Sequence, residues 1–387
     1  MPETNVVVLA TSDYYLPGHK GGGAVQALAN MVSHLGDTSM FKVVTRDRDL
    51  GDEVAYPHIA PNCWNRLDGT EVMYISPKRR FLALLKLFRG IHVDILYLNS
   101  FFSPLFSVWV LLLRRCGLVT ARAVIVAPRG EFSSGAINIK RLKKLVYIAL
   151  AKMLQLYKDV TWHVSTEYEK ADVQRYWGRD AQVGIARDCL PKKAEEVTFP
   201  SRGKTKGRAD IVFLSRICRK KNLDGALAAL AELQGEVRMC IYGPKEDSEY
   251  WQECRTIIDQ LPAHIRVEYC GTVAHEEVLR VLTQHHLFFL PTYGENFGFV
   301  IVEALLAGCP VLISDQTPWR DLRTKGVGWE LPLAERQRFR EILQTCIDMD
   351  QAAFSALSSK AWEYGMTILR EDPGPEQSRM LFKRVLA

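Results

Sequence analysis

Short apolar, β-branched runs alternate with helix-length patterns along nearly the whole chain, and this alternation restricts the fold more than any other feature. In the first half the strand-like runs fall at 6–10, 41–45, 71–76, 95–99, 123–127 and 160–165, with helix patterns at 23–35, 80–89, 104–116, 140–157 and 167–177 between them. Most of these runs are continuously apolar, as expected of strands covered on both faces. The rhythm breaks over 190–208, where Pro191, Pro200, Gly203 and Gly207 stand among lysines, and this stretch reads as a linker. It restarts with strands at 211–215, 237–242, 266–270, 287–291 and 310–314 and helices at 223–233, 249–261, 275–284 and 299–307. Alternating β and α implies parallel strands joined by right-handed crossovers. Two such series predict an α/β protein of two doubly wound, Rossmann-like domains facing a cleft. The expected boundaries are 1–195 and 208–370, with 371–387 a C-terminal helix returning to the first domain.

The length of 387 residues suits two domains. With 48% hydrophobic and 24% charged residues, a disordered or fibrous chain is excluded. The nine cysteines show no C-x-x-C spacing, and several, such as Cys240 and Cys309, lie inside apolar runs. They read as small buried hydrophobes in a reducing compartment, not as a disulfide frame or a zinc site. No apolar run near Met1 has the length of a signal-peptide core, and the longest, 105–113, is well short of a membrane span. A cytoplasmic or peripheral protein is expected. A net charge of +6 without a recognition motif argues against nucleic acid as a partner.

The strongest constellation is the phrase from Pro291 through Gly294, Glu295, Asn296, Phe297, Gly298 and Phe299 to Glu303, followed by Gly308-Cys309-Pro310-Val311. A strand ends at Pro291, a turn carries Glu295, and a helix opens near Phe299. The start of a helix presents unpaired N–H groups and partial positive charge to an anion. Two carboxylates beside it can accept hydrogen bonds from paired hydroxyls. Glu303 sits among Val302, Ala304 and Leu305, so burial there demands a partner. Upstream, Arg216 leaves a strand and Lys221-Asn222 precedes a helix. Cations at the carboxyl edge of a strand can neutralise a diphosphate, with Lys220 an alternative to Lys221 as the partner of Arg216. A third feature, Gly21-Gly22-Gly23, lies between the first strand and a helix and lets backbone approach a phosphate. Neither the dinucleotide fingerprint nor a P-loop is present there. A fourth is Ala127-Pro128-Arg129-Gly130 after a buried strand, and His163 at the end of another strand reads as a core histidine.

The spacing of Glu295 and Glu303 within GENFGFVIVEALLAGCPVL resembles the signature of retaining GT-B glycosyltransferases, in particular glycosyltransferase family 4 (glycosyl transferases group 1). The resemblance covers nearly the whole chain and is clearest from 211 to 329. It implies a nucleotide-sugar donor and transfer with retention at the anomeric carbon. By resemblance Glu295 lies at the donor sugar, the backbone of Phe297 and Gly298 meets sugar hydroxyls, Glu303 holds the ribose, and Arg216 with Lys221 faces the diphosphate. The catalytic set is then Glu295, Arg216 and Lys221. The donor-binding set is Gly22, Gly23, Arg129, Asn296, Phe297, Gly298, Phe299 and Glu303. Many members carry histidine where Arg129 stands, so its role there is open between an acidic group and the acceptor. The phrase from Thr317 to Leu322 resembles members that build bacterial surface polysaccharides, which implies a glycan or lipid-linked acceptor.

Asp47-Arg48-Asp49 spells the D-x-D metal motif of the other main glycosyltransferase fold, but it follows only the second strand of a doubly wound half. It reads as a solvated loop, and neither metal nor cofactor is expected. Basic, apolar stretches at 77–89 and 140–144 suggest peripheral contact with the inner face of an anionic membrane, an ordinary surface helix being the alternative. Competing functions are a GT-B sugar-nucleotide epimerase or hydrolase and, less favoured, an NAD-dependent Rossmann oxidoreductase.

Overall fold

The computed structural model describes residues 6–78, 80–192, 199 and 202–387. The middle of the expected linker, the polar N-terminal pentapeptide and Arg79 lie outside the described residues. The chain forms two compact units, 1–192 with 373–387 and 193–372.

The first unit runs β1 (Val6–Thr11), α1 (Gly23–Leu35), β2 (Ser39–Arg46), β3 (Trp64–Leu67), β4 (Thr70–Ile75), α2 (Arg80–Phe88) and β5 (Ile91–Leu98). It continues with α3 (Trp109–Arg115), β6 (Val119–Val126), α4 (Ser134–Asn138), α5 (Arg141–Met153), β7 (Thr161–Val164), α6 (Glu167–Trp177) and β8 (Val183–Ile185). The strand order is β3-β4-β2-β1-β5-β6-β7-β8, parallel except for β3. That edge strand was not predicted. It is closed by Asp68 and Gly69, both at positive φ, a pairing suited to a two-residue hairpin. The chain moves outward from β1 one way and then from β5 the other, which puts the topological switch between β1 and β5.

Helices cover both faces of this sheet. On one, Leu84 and Phe88 of α2, Val110 and Leu113 of α3, Ile148 and Ala151 of α5 and Val173 of α6 pack into one core. The helix predicted over 104–116 opens with a π-helical turn, capped by the Ser103 hydroxyl accepting from the Phe106 N–H at 3.1 Å. The one predicted over 140–157 stops at Met153, because Gln155 takes a φ of 50°. On the opposite face Leu28, Met31 and Leu35 of α1 pack with Leu381 and Phe382.

The second unit runs β9 (Arg208–Leu214), α7 (Leu223–Leu230), β10 (Glu236–Tyr242), α8 (Ser248–Asp259), β11 (Ile265–Gly271), α9 (Val278–Leu282), β12 (Leu287–Leu290) and α10 (Phe299–Leu306). β13 (Val311–Ser314), α11 (Leu322–Lys325), β14 (Gly328–Leu331), α12 (Arg336–Asp348) and α13 (Gln351–Arg370) complete it. Its all-parallel sheet has the order β11-β10-β9-β12-β13-β14, so the switch lies between β9 and β12. The buried helix α10 packs on α13 at a close approach: a Cβ on Gly365 would come within 2.7 Å of the Leu306 nitrogen.

The last helix, α14 (Gly374–Leu386), belongs to the first unit. Leu381 rests directly on Gly184, where a Cβ would lie 2.3 Å from its Cδ1. Gln377 accepts from the Arg187 N–H at 2.9 Å, and Arg379 donates to the His34 carbonyl at 3.1 Å.

Candidate functional site

In an open parallel sheet the loops leaving the two strands at the switch point diverge and leave a crevice at their carboxyl ends. In the second unit these are the loops after β9 and β12. Residues 219–221 form a single 3-10 turn, and Asn222 takes a left-handed conformation before α7. Asn222 donates its amide to the Pro291 carbonyl at 2.7 Å. The Lys220 carbonyl accepts from the Tyr293 N–H at 2.8 Å and from the Thr292 hydroxyl at 3.1 Å. The two loops are therefore sewn together through the Lys220 and Pro291 carbonyls.

That stitching brings Lys221 into direct contact with Glu295, its ammonium donating to Oε1. Both side chains are largely out of water, 9% and 13% exposed. Neighbouring Lys220 is half-buried, and desolvation together with the Lys221 charge pushes its pKa down to about 8. Arg216 stands apart from this pair. It donates to Glu246 at 2.8 Å, and both partners are about one-third exposed.

Beyond Glu295 the loop is held rigid. The Glu295 N–H donates to the Gln316 carbonyl at 2.9 Å. The Trp319 indole donates to the Phe297 carbonyl at 2.7 Å, and the two rings meet edge to face at 5.6 Å. Phe297 also packs on Phe299 at 4.8 Å. Gly298 caps α10 with a φ of 81°, and a Cβ there would press on Ile301 Cδ1 at 2.9 Å. Glycine is the residue this left-handed cap admits without strain. It brings no capping side chain to the start of α10. Glu303, one turn inside α10, is only 14% exposed, and burial pushes its pKa from 4.5 to about 7. Its Oε1 lies 3.5 Å from Nδ1 of His275. His275 was not anticipated as a site residue. The available signal was its place just past the end of β11, at the carboxyl edge that also carries Arg216.

The first unit gathers its own cluster at the β1–β5 switch. Asn99, just past β5, donates to the Ala24 carbonyl at 2.9 Å and to the Ser12 hydroxyl at 3.2 Å. Gly22 caps α1 at a φ of 71°, with Gly23 the first helical residue. The loop is anchored from below by Asp49, which accepts from the backbone N–H groups of His19, Lys20 and Leu50 at 2.7, 2.9 and 2.8 Å. The expectation of a solvated loop at Asp47-Arg48-Asp49 is thereby corrected. Asp47 and Asp49 are buried, because the segment after β2 folds under the glycine loop.

Arg129, expected among the donor-binding residues, is held by partners of the first unit. Its guanidinium is 8% exposed and pairs with buried Asp188. It also donates to Asn99 at 2.9 Å and to the Tyr97 hydroxyl at 2.8 Å. These partners bind together the loops after β5, β6 and β8. His163, in contact with Tyr97 at 2.6 Å and the Ala186 carbonyl at 2.9 Å, is held neutral by burial beside Arg129, its pKa pushed down to about 3.

Two doubly wound units with their loops gathered at switch points define the GT-B class of glycosyltransferase fold. Sucrose-phosphate synthase from Thermosynechococcus elongatus superposes with a TM-score of 0.71 at 16% identity, covering 98% of this chain and 99% of that one. The Anabaena protein HepE, solved with UDP and glucose, also gives 0.71, at 14% identity and the same coverage. Residues 195–347 match the model of the Glycosyl transferases group 1 family. The phosphatidyl-myo-inositol mannosyltransferase of Mycobacterium leprae is 24% identical over 273 residues, which span 66% of this chain and 65% of that protein.

Proposed function

We propose that this protein transfers a glycosyl group from a nucleotide-sugar donor to an acceptor hydroxyl with retention of anomeric configuration. The observation that carries this reading is the buried Lys221–Glu295 pair at the β9–β12 switch, with desolvated Glu303 one turn inside the following helix α10. A donor diphosphate entering here would replace Glu295 as the partner of Lys221 and free that carboxylate to accept from sugar hydroxyls. Arg216 supplies a second cation after exchanging Glu246 for phosphate. In this reading the amides of Phe297 and Gly298 meet donor oxygens, Asn296 and Phe299 shape the donor wall, and Glu303 accepts from the ribose hydroxyls.

In the chemical step the bond between the anomeric carbon and the phosphate oxygen breaks, and the nucleoside diphosphate leaves with the electron pair. The acceptor oxygen bonds to that carbon on the same face, and its proton passes to the departing phosphate. Lys221 and Arg216 stabilise the charge that develops, which is where catalytic electrostatics acts most strongly. The cations take the role a metal would fill, so the reaction is proposed to be metal-independent.

The mannosyltransferase relative, named for phosphatidyl-myo-inositol, and WaaG, a structural neighbour described as involved in lipopolysaccharide biosynthesis, support a lipid-linked or surface-polysaccharide acceptor. The inner membrane face is the corresponding location; among the described residues no helix is long and apolar enough to cross a bilayer.

The test is incubation with a panel of nucleotide sugars and glycan or glycolipid acceptors, with and without chelator. Acceptor-dependent release of nucleoside diphosphate that survives chelator, with the donor's anomeric configuration in the product, is expected. Release of free sugar whether or not acceptor is present would replace transfer by hydrolysis, and an inverted product would refute retention.

A further inference from the structure

β11 is an edge strand of the second sheet and pairs in parallel with β10. Alternation puts Arg238, Cys240 and Tyr242 of β10 on one face with Arg266, Glu268 and Cys270 of β11. The three β11 residues are exposed, so this face of the edge strand is open to solvent. Cys240 stands directly opposite Glu268 and is only 2% exposed. Beyond it the register shifts. Ile241 pairs with Tyr269 but Tyr242 with Gly271, which leaves Cys270 as an extra residue opposite none on β10. A bulge of this kind re-aims the side chain it carries. Among the described residues, the sulfurs of Cys240 and Cys270 and a carboxylate oxygen of Glu268 all lie within 4.8 Å of one another.

We infer that Cys240, Cys270 and Glu268 form a binding site for a zinc ion, which clips the edge strand β11 to β10. Two sulfurs with one carboxylate suit a borderline-soft divalent ion and disfavour magnesium or calcium, which take oxygen ligands. Tetrahedral zinc with Zn–S bonds of about 2.3 Å needs its ligand atoms about 3.5–3.8 Å apart. Small rotations close that gap, because the Glu268 and Cys270 side chains are exposed and have room to turn. The fourth position faces solvent and takes water. Charge is also matched. Two thiolates and a carboxylate carry three negative charges, the ion leaves one, and Arg238, 2.9 Å from Glu268, offsets it. That arginine holds the Glu268 carboxyl below its ordinary pKa, so this ligand is already ionised. Burial and the nearby Cys270 push the Cys240 thiol up to about 12, so it keeps its proton until an ion arrives. Binding forms two Zn–S bonds and one Zn–O bond and releases the two thiol protons to solvent. The ion takes no part in the transfer step, so the test needs no donor and stands apart from the proposed reaction.

The test is titration of the reduced full chain, stripped of metal by chelator, with Zn²⁺ and with Co²⁺ as a spectroscopic substitute. A single zinc ion should bind and raise the thermal midpoint. Co²⁺ should give thiolate-to-metal charge-transfer absorption that Zn²⁺ removes. Cys270→Ser should weaken binding by at least about 100-fold, since losing a group that merely orients a ligand already costs about 10- to 100-fold. An unchanged urea transition without metal verifies that this exposed substitution keeps the fold. Glu268→Gln should weaken binding but leave the charge-transfer band, because both sulfurs remain. Cys63→Ser and Cys116→Ser, at exposed cysteines elsewhere, should change nothing. Unchanged zinc affinity in Cys270→Ser would overturn the assignment, as would a reduced chain that binds no Zn²⁺. So would a Cys240–Cys270 disulfide that forms in air equally fast with and without Zn²⁺, since the pair is then a redox couple.

Discussion

Replacing Glu303 by glutamine separates what this carboxylate does for binding from what it does to stability. Burial raises its pKa from 4.5 to about 7, with desolvation as the cause. A carboxyl whose folded pKa lies above its unfolded value binds more protons in the native state, so its contribution to stability falls as pH rises between the two values. At pH 8 Glu303 is ionised in both states, and the gap between 4.5 and about 7 corresponds to a penalty of about 3 kcal/mol. At pH 5 the same gap leaves under about 1 kcal/mol. Glu303→Gln keeps the shape and removes the charge. The variant should therefore resist urea better than the wild type at pH 8, by up to about 3 kcal/mol, with most of the gain gone at pH 5. It should also bind nucleotide sugar about 10- to 100-fold more weakly, because a charged acceptor for the ribose is lost. Wild-type donor affinity should rise with pH through about 7. Urea titrations at the two pH values and calorimetry with the donor measure all of this. A variant no more stable than the wild type at pH 8 would refute the desolvation argument, and unchanged donor affinity would refute the binding role.

Lys221→Met leaves Glu295 buried without its cation and should cost about 3–5 kcal/mol of stability. Adding Glu295→Gln should restore most of that stability in denaturant titrations while activity stays at least about 100-fold down. Arg129→Met strands buried Asp188 and should lower stability by about 3–5 kcal/mol; a selective rise in donor KM with unchanged unfolding would instead mark it as a donor contact. Gly298→Ala forces a left-handed alanine against Ile301, which should cost about 1–2 kcal/mol and lower kcat/KM by displacing the loop. Unaltered kinetics would show that the loop geometry is not needed for the reaction.

The elements were legible because their signal is local. Apolar runs mark the buried strands, so β10, predicted over 237–242, is found at Glu236–Tyr242, and α6 is found on its predicted residues, Glu167–Trp177. Short or amphipathic pieces escaped: β3 and β8 have four and three residues, and α12 is too polar to stand out from loop by composition. The strand–loop–helix around Glu295 was readable for the same local reason, since a glycine-rich turn between an apolar strand and an apolar helix admits few conformations.

What side chains meet was not written locally. Lys221 and Glu295 are 74 residues apart and touch because β9 and β12 are neighbours at the switch. Arg129 and Asp188 are 59 residues apart, and only the fold names this buried carboxylate as a partner of Arg129. Cys240 and Cys270 show no metal-ligand spacing in sequence and meet only because β10 and β11 pair with a register shift at Cys270. The sequence by itself determined two doubly wound halves and the loop that carries Glu295 and Glu303, because periodicity and turn chemistry act over a few residues. The tertiary structure alone decided which charges are paired, which carboxylate is desolvated and which cysteines meet, because these depend on strand adjacency across the chain.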